Sequence, residues 1–212
     1  MYTNNNYWNN IYKTVKEQKP TYDLWLDKYK DILNKVKDEY IIDLGCGSGG
    51  DSLYLVERGY KVISCDYSDE SLDMVNKYIL SAKTIKLDIS KKLPFEGESL
   101  EVIIADLSLH YFNNETTKSI ANELNRVLKL GGYLIGRVNS VNDVNYGAFD
   151  GEEIEKNFLL TEKGYKRFFD KESIEYYFGE FEIKFCEETK INKYRYEKQA
   201  IEFVLKKITK EK

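Results

Sequence analysis

The chain carries one histidine, two prolines and three cysteines in 212 residues, and each scarcity removes a class of protein from consideration. Cys46, Cys65 and Cys186 are odd in number, dispersed and free of any C-x-x-C pairing. That pattern argues against a disulfide or zinc framework and for free thiols in a reducing cytoplasm. No ligand spacing for a metal is present, so no metal is expected. No apolar run approaches membrane-spanning length, and the opening M-Y-T-N-N-N-Y-W lacks a charged-then-apolar signal pattern. A soluble, cytoplasmic protein with no membrane partner is the expectation. Lys and Arg number 32 against 36 Asp and Glu, for a net charge of -4. The bases are scattered among the acids without forming a stripe, which gives no support to a nucleic-acid partner. There is no internal repeat and no low-complexity linker. The length suits a single domain over 1–212 with one good core.

What is present is concentrated between Ile41 and Gly50, in I-I-D-L-G-C-G-S-G-G. An apolar run that ends in an acid and breaks into glycines reads as a buried strand turning sharply into a helix. Gly45, Gly47 and Gly49 let the backbone take unusual dihedrals and let a ligand lie on the main chain, including at Cys46 between them. The helix beginning near Asp51 points its positive end into the same space. Two ligands fit the glycines. Gly45, Gly47 and Gly50 satisfy the dinucleotide pattern G-x-G-x-x-G, and Asp66 follows about twenty residues on, where a ribose-binding acid belongs. Asp43 separates the two. Alternation places it on the same side of the strand as Gly45, where its carboxylate repels a pyrophosphate and attracts the ammonium and sulfonium of S-adenosylmethionine (SAM).

Five blocks in order resemble the class I SAM-dependent methyltransferases of small-molecule type. They are D-L-G-C-G-S-G at 43–49, C-D-Y-S-D-E-S-L-D-M from Cys65 to Met74, L-D-I-S-K-K-L-P-F from Leu87 to Phe95, A-D-L-S-L-H-Y-F from Ala105 to Phe112, and L-N-R-V-L-K-L-G-G-Y-L from Leu124 to Leu134. The resemblance implies an α/β, Rossmann-like, seven-stranded, mostly parallel sheet with helices on both faces and a C-terminal antiparallel hairpin. It divides the chain into N-terminal lid and helices (1–37), SAM-binding core (38–139), substrate-side insertion (140–180) and hairpin (181–212). It also implies that Asp66 accepts the ribose hydroxyls, that the Asp88 carboxylate and the Ile89 amide read adenine, and that the backbone around Asp106 and Leu107 holds the methionine end. A looser similarity is to tellurite-resistance-type methyltransferases.

Along the chain, Trp8 and Tyr12 belong to a segment that serves either as a frayed terminus or as a lid over the cofactor. Tyr22 to Lys37 is expected to be one amphipathic helix with Trp25, Tyr29, Ile32, Leu33 and Val36 on its buried stripe. Strands are expected at Tyr40 to Leu44, Lys61 to Cys65, Thr84 to Leu87, Leu100 to Ala105 and Tyr133 to Val138. The ring of Tyr67 is placed against adenine or ribose, and Ser68 caps the next helix. Asn114 is expected to cap a helix closed by Gly131-Gly132. His110 and Tyr111 follow the fourth strand at its carboxyl end, where open sheets bind ligands, and are the candidates for a catalytic role. Arg137 and Asn139 end the fifth strand. A buried Arg needs a partner, so Arg137 pairs either with an internal acid or with an anionic substrate. The long connection Ser140 to Gly179, with Tyr146 and Arg167, is the candidate acceptor pocket.

Methyl transfer from a sulfonium is an in-line displacement on an activated carbon, so orientation supplies much of the rate. A general base is needed only for an acceptor protonated at neutral pH, with His110, Tyr111 and Asp106 as candidates in that order. The reading is a SAM-dependent enzyme acting on a small molecule. A nucleotide-linked oxidoreductase and a SAM-binding protein without chemistry stand as alternatives.

Overall fold

The structure is a computed structural model that describes residues 5–15 and 17–209. The aromatic at Tyr2 lies outside the described residues. Seven strands form one sheet: β1 (Tyr40–Leu44), β2 (Lys61–Asp66), β3 (Lys83–Lys86), β4 (Leu100–Asp106), β5 (Leu128–Asn139), and, late in the chain, Phe181–Ile191 and Lys198–Lys207. A separate three-stranded antiparallel sheet, β6 (Glu152–Glu155), β7 (Phe158–Thr161) and β8 (Gly164–Arg167), stands between them in sequence, which makes the last two strands β9 and β10. The large sheet runs β3-β2-β1-β4-β5-β10-β9. Its first five members are mutually parallel, and β10 is antiparallel to both β5 and β9. This is the expected Rossmann-like sheet with its C-terminal hairpin.

Successive residues of β1 point to opposite faces, and both faces are apolar. Ile41 packs with Trp25, Leu33, Val62, Ile104 and Ile135, while Ile42 packs with Ile103, Leu124, Leu134 and Phe203 on the other side. Burial on both faces is why the strands read as continuous apolar runs instead of alternating ones. Helices α1 (Asn5–Val15), α2 (Lys30–Lys35), α3 (Gly50–Glu57), α4 (Asp69–Tyr78), α5 (Asn114–Val127) and α6 (Lys171–Tyr177) complete the chain. The Ser68 side chain caps α4, and Asp170 with Ser173 forms a capping box on α6. Strand order reverses between β1 and β4, so the carboxyl ends of these two strands open a crevice.

Four expectations are corrected. The single helix over Tyr22 to Lys37 is a 3-10 turn, Trp25–Tyr29, followed by the short α2. The stripe Trp25, Tyr29, Leu33 and Val36 is buried as expected. Polar tethers override the helical period, because the Trp25 indole donates to Asp51 and the Tyr29 hydroxyl to Glu202 on β10. The cap of α5 is Asn113, whose side chain accepts from the Thr116 amide at 2.9 Å. Gly131 and Gly132 do not close that helix. They lie inside β5, where a Cβ on Gly132 would sit 2.9 Å from the Glu101 carbonyl, so the strand passes tightly against β4. Finally, the connection after β5 holds a second sheet that was not expected, ahead of the expected helix from Asp170 to Phe178.

Candidate active site

The glycine loop is pinned where the sheet order reverses. The Gly45 and Cys46 amides both donate to the Cys65 carbonyl, at 2.7 and 2.9 Å, and the Gly47 amide donates to Asp66 Oδ2 at 2.9 Å. Gly45 adopts φ +76°, and a Cβ there would lie 2.3 Å from Ser108 Cβ. Gly47 adopts φ +53°, with the Tyr12 hydroxyl 2.7 Å from where its Cβ would be. Side chains at either position would close the cradle. Gly49 is the N-cap residue of α3. Cys46 is buried, its thiol 3.8 Å from Ser71 Oγ, and burial pushes that thiol well above its ordinary value.

Acid gathers beneath this loop. Asp43 is buried and accepts from the Ser52 hydroxyl at 2.6 Å, which in turn shares a hydrogen bond with Ser64 Oγ. Asp51, in the first turn of α3, is buried and accepts from the Trp25 indole at 2.9 Å. Neither makes an ion pair among the described residues. Burial raises the Asp43 carboxyl to about 7, with Asp106 and Asp66 adding repulsion. Burial also raises Asp51 well above the usual carboxylate range, reinforced by Asp106 and Asp43. Asp106 differs: burial opposes its charge, but Arg137 and Lys193 hold it down at about 2.

Arg137 resolves its two readings in favour of the internal acid. Its guanidinium grips Asp106 through two bonds of 2.7 Å, reaches Asp23 at 2.9 Å, and lies over the Trp25 ring. A buried arginine so saturated holds the crevice together and has no face left for a substrate, which corrects its assignment as a substrate contact. Arg167 lies away from the glycine loop and lines a groove beside α6. It bonds the Phe112 and Lys156 carbonyls and pairs with Glu155 at 2.5 Å.

At the neighbouring strand ends, Asp66 accepts from the Gly47 and Ser68 amides, each at 2.9 Å. Tyr67 beside it is exposed. Asp88 forms a turn in which one carboxylate oxygen accepts the Ser90 amide and hydroxyl. The Ile89 side chain packs 3.4 Å from the Cβ position of Gly45, at the loop itself. Leu107 takes φ +55°, rare for a branched residue, while its amide donates to the Arg137 carbonyl at 2.8 Å.

Helix α1 covers the loop. Besides the Tyr12 contact, Asn9 accepts from the Ser68 hydroxyl, and Lys13 stands 3.7 Å from Glu70. Trp8 stacks on Tyr12 and meets the Tyr111 ring edge-on at 5.5 Å. Trp8 and Tyr12 are thus part of the site's wall. His110 is buried against Tyr111, ring centroids 4.4 Å apart. Burial, followed by the charges of Lys198 and Lys166, keeps the imidazole neutral. His110 Nδ1 and Asn139 Oδ1 are buried polar atoms with no hydrogen-bond partner among the described residues. Tyr146 lies near Tyr194, under the Lys198 ammonium.

Four contributors escaped the sequence reading: Asp23, Asp51, Ser108 and Lys193. Lys193 sits in the β9–β10 turn and reaches Asp106 at 3.3 Å. The run Lys190 to Lys198, alternating bases with Tyr194 and Tyr196, is the signal that would have flagged it. A groove of about 630 Å³ opens elsewhere, between α6 and the β6–β7 turn, and none of the glycine-loop residues lines it.

The residues present fit SAM. The turn has no side chains of its own at Gly45 and Gly47, and the buried carboxylates Asp43 and Asp51 beside it make no ion pair among the described residues. Residues 41–132 match the family described as a methyltransferase domain. Among curated relatives, a probable SAM-dependent methyltransferase, TehB, from Haemophilus influenzae is 33% identical over 109 residues, covering 49% of this chain and 37% of its own length. A putative methyltransferase, YqeM, from Bacillus subtilis is 34% identical over 108 residues, covering 47% of this chain and 42% of its own length. The chain thus spans roughly two fifths of the length of these relatives. In three dimensions the fold matches a SAM-dependent methyltransferase from Methanosarcina mazei with a TM-score of 0.72 at 20% identity, over 84% of this chain and 98% of that one.

Proposed function

We propose that the chain transfers the sulfonium methyl of SAM to a small-molecule acceptor by in-line displacement. The observation that carries this reading is the pair of buried carboxylates, Asp43 and Asp51, which make no ion pair among the described residues. A ligand bearing an ammonium and a sulfonium relieves that charge, whereas a dinucleotide would add its phosphates to it. When bound, SAM supplies a methyl group on a positively charged sulfur. The methyl carbon gains a bond to an acceptor lone pair as its bond to sulfur breaks, and the electron pair stays on sulfur.

The protein's own part is placement. Asp66, fixed by the Gly47 and Ser68 amides, is the acceptor for the ribose hydroxyls, and Asp88 has a second oxygen available to the adenine amino group. The Ile89 amide and the Tyr67 ring complete the nucleoside end. The backbone at Asp106 and at Leu107, strained at Leu107, holds the methionine end, and Arg137 with Lys193 keeps Asp106 ionised and fixed. Helix α1 excludes water from above through Trp8 and Tyr12. At the far end, neutral His110 stands ready to accept a proton from the acceptor, and Tyr111 lines its approach. A small acceptor is favoured because α1, the segment after β5 and the β9–β10 turn converge on this end. The test is incubation of the chain with methyl-labelled SAM and fractionated small metabolites. Label in a small-molecule product is expected, and transfer confined to added RNA or protein contradicts the reading.

A further inference from the structure

Lys198, Lys166 and Asp106 act electrostatically on His110, and among the described residues Lys166 alone of the three makes no ion pair. Lys198 is paired with Asp143 at 2.6 Å, and Asp106 is matched by Arg137 and Lys193. Lys166, on β8, makes no ion pair among the described residues, and its ammonium donates to the Tyr146 carbonyl at 3.1 Å. The chain that carries it is stitched alongside the two orphaned polar atoms. The Arg167 amide donates to the His110 carbonyl at 2.8 Å, and the Phe169 amide to the Asn139 carbonyl at 2.7 Å. A half-buried cation with no ion pair among the described residues, on the strand bonded to the His110 segment, together with unsatisfied His110 Nδ1 and Asn139 Oδ1, is costly to leave without a ligand. It is apt for a ligand that offers a negative group together with a hydrogen-bond donor.

We propose that the methyl acceptor is a small organic anion, a carboxylate or comparable oxyanion, bound by the Lys166 ammonium with its O–H or N–H directed to His110 Nδ1 and Asn139 Oδ1. The inference rests on the methyl-transfer reading and narrows it to a substrate class. The electrostatics agree. Burial, then Lys198 and Lys163, brings Lys166 down to about 8, and a bound anion reverses that shift. An acceptor of this kind presents its nucleophile beside a neutral imidazole, so proton removal and charge recognition are served by adjacent groups.

The experiment divides a small-metabolite library by ion exchange into anionic, neutral and cationic pools and supplies each, with methyl-labelled SAM, to the full chain. Label in the anionic pool is expected. For the acceptor so found, Lys166→Met should raise KM at least tenfold while SAM affinity is unchanged, and Lys166→Arg should recover most of the loss. Lys166→Gln, with thermal unfolding followed for all variants, separates loss of charge from loss of fold. Label in the neutral or cationic pool, an unchanged KM in both charge-removing variants, or SAM binding with transfer to no pool overturns the inference. Failure to bind SAM in calorimetry is a different result and tells against the methyl-transfer reading.

Discussion

At the residue scale, individual carboxylates do different work according to what surrounds them. Asp66 is held by two backbone amides, so it is ordered before a ribose arrives. Asp66→Ala is expected to weaken SAM binding by about 1–3 kcal/mol, the scale of hydrogen bonds to a charged group, as read by calorimetry. Asp43 gives a pH dependence whose sign follows from its environment. In the free protein burial lifts it to about 7, and a cationic ligand favours the ionised form and lowers that value. SAM affinity should therefore rise with pH through about 7 and level off above it, with proton release on binding below that point. Asp43→Asn should flatten the profile, and a profile that falls with pH would oppose this assignment. The glycine turn, Asp43 and the strand-end position of Asp66 were legible from spacing, whereas Asp88 was marked by the family resemblance. Arg137 was legible only as needing a partner. Which partner it took depended on Asp23, more than a hundred residues away, and no local pattern encodes that pairing.

At the element scale, the strands were easy to read and the helical segment before them was not. Apolar runs such as Leu100 to Ala105 are buried on both faces, and nothing else satisfies that pattern. The segment Tyr22 to Lys37 has helical periodicity, yet Trp25 and Tyr29 are fixed by bonds to α3 and β10, and those tethers shorten the helix. The second sheet went unseen because its strands are four residues each, too short for alternation to show. Helix α1 makes its case through contact. Tyr12 lies over Gly47, and Trp8 bridges Tyr12 to Tyr111. If α1 retains the cofactor, the double variant Trp8→Ala, Tyr12→Ala should release SAM faster in stopped-flow measurements with little change in thermal midpoint. An unchanged release rate would reduce α1 to a packing element.

At the scale of the whole molecule, the site exists because the sheet's two apolar faces hold β1, β4 and β5 in register. That support extends to the C-terminal hairpin. The Phe203 ring on β10 is fully buried, and its Cζ lies 2.7 Å from where a Cβ on Gly136 would stand. Phe203→Ala should cost about 3–5 kcal/mol in denaturant unfolding, since it removes a large ring from a closed core. Among the described residues no helix is long and apolar enough to cross a membrane. The hairpin also delivers Lys193 to Asp106, so the last quarter of the chain completes a crevice that its first half begins. The overall architecture was readable from the order of five blocks, whereas the acceptor end, built from segments distant in sequence, was readable only as a region. The central claim is that unneutralised acid beneath a bare glycine turn selects a cationic nucleoside. Calorimetric titration of the full chain with SAM, its demethylated product and NAD tests it most directly. Saturable binding of SAM and the demethylated product with none of NAD is the expected result, and binding of NAD without SAM would contradict the account.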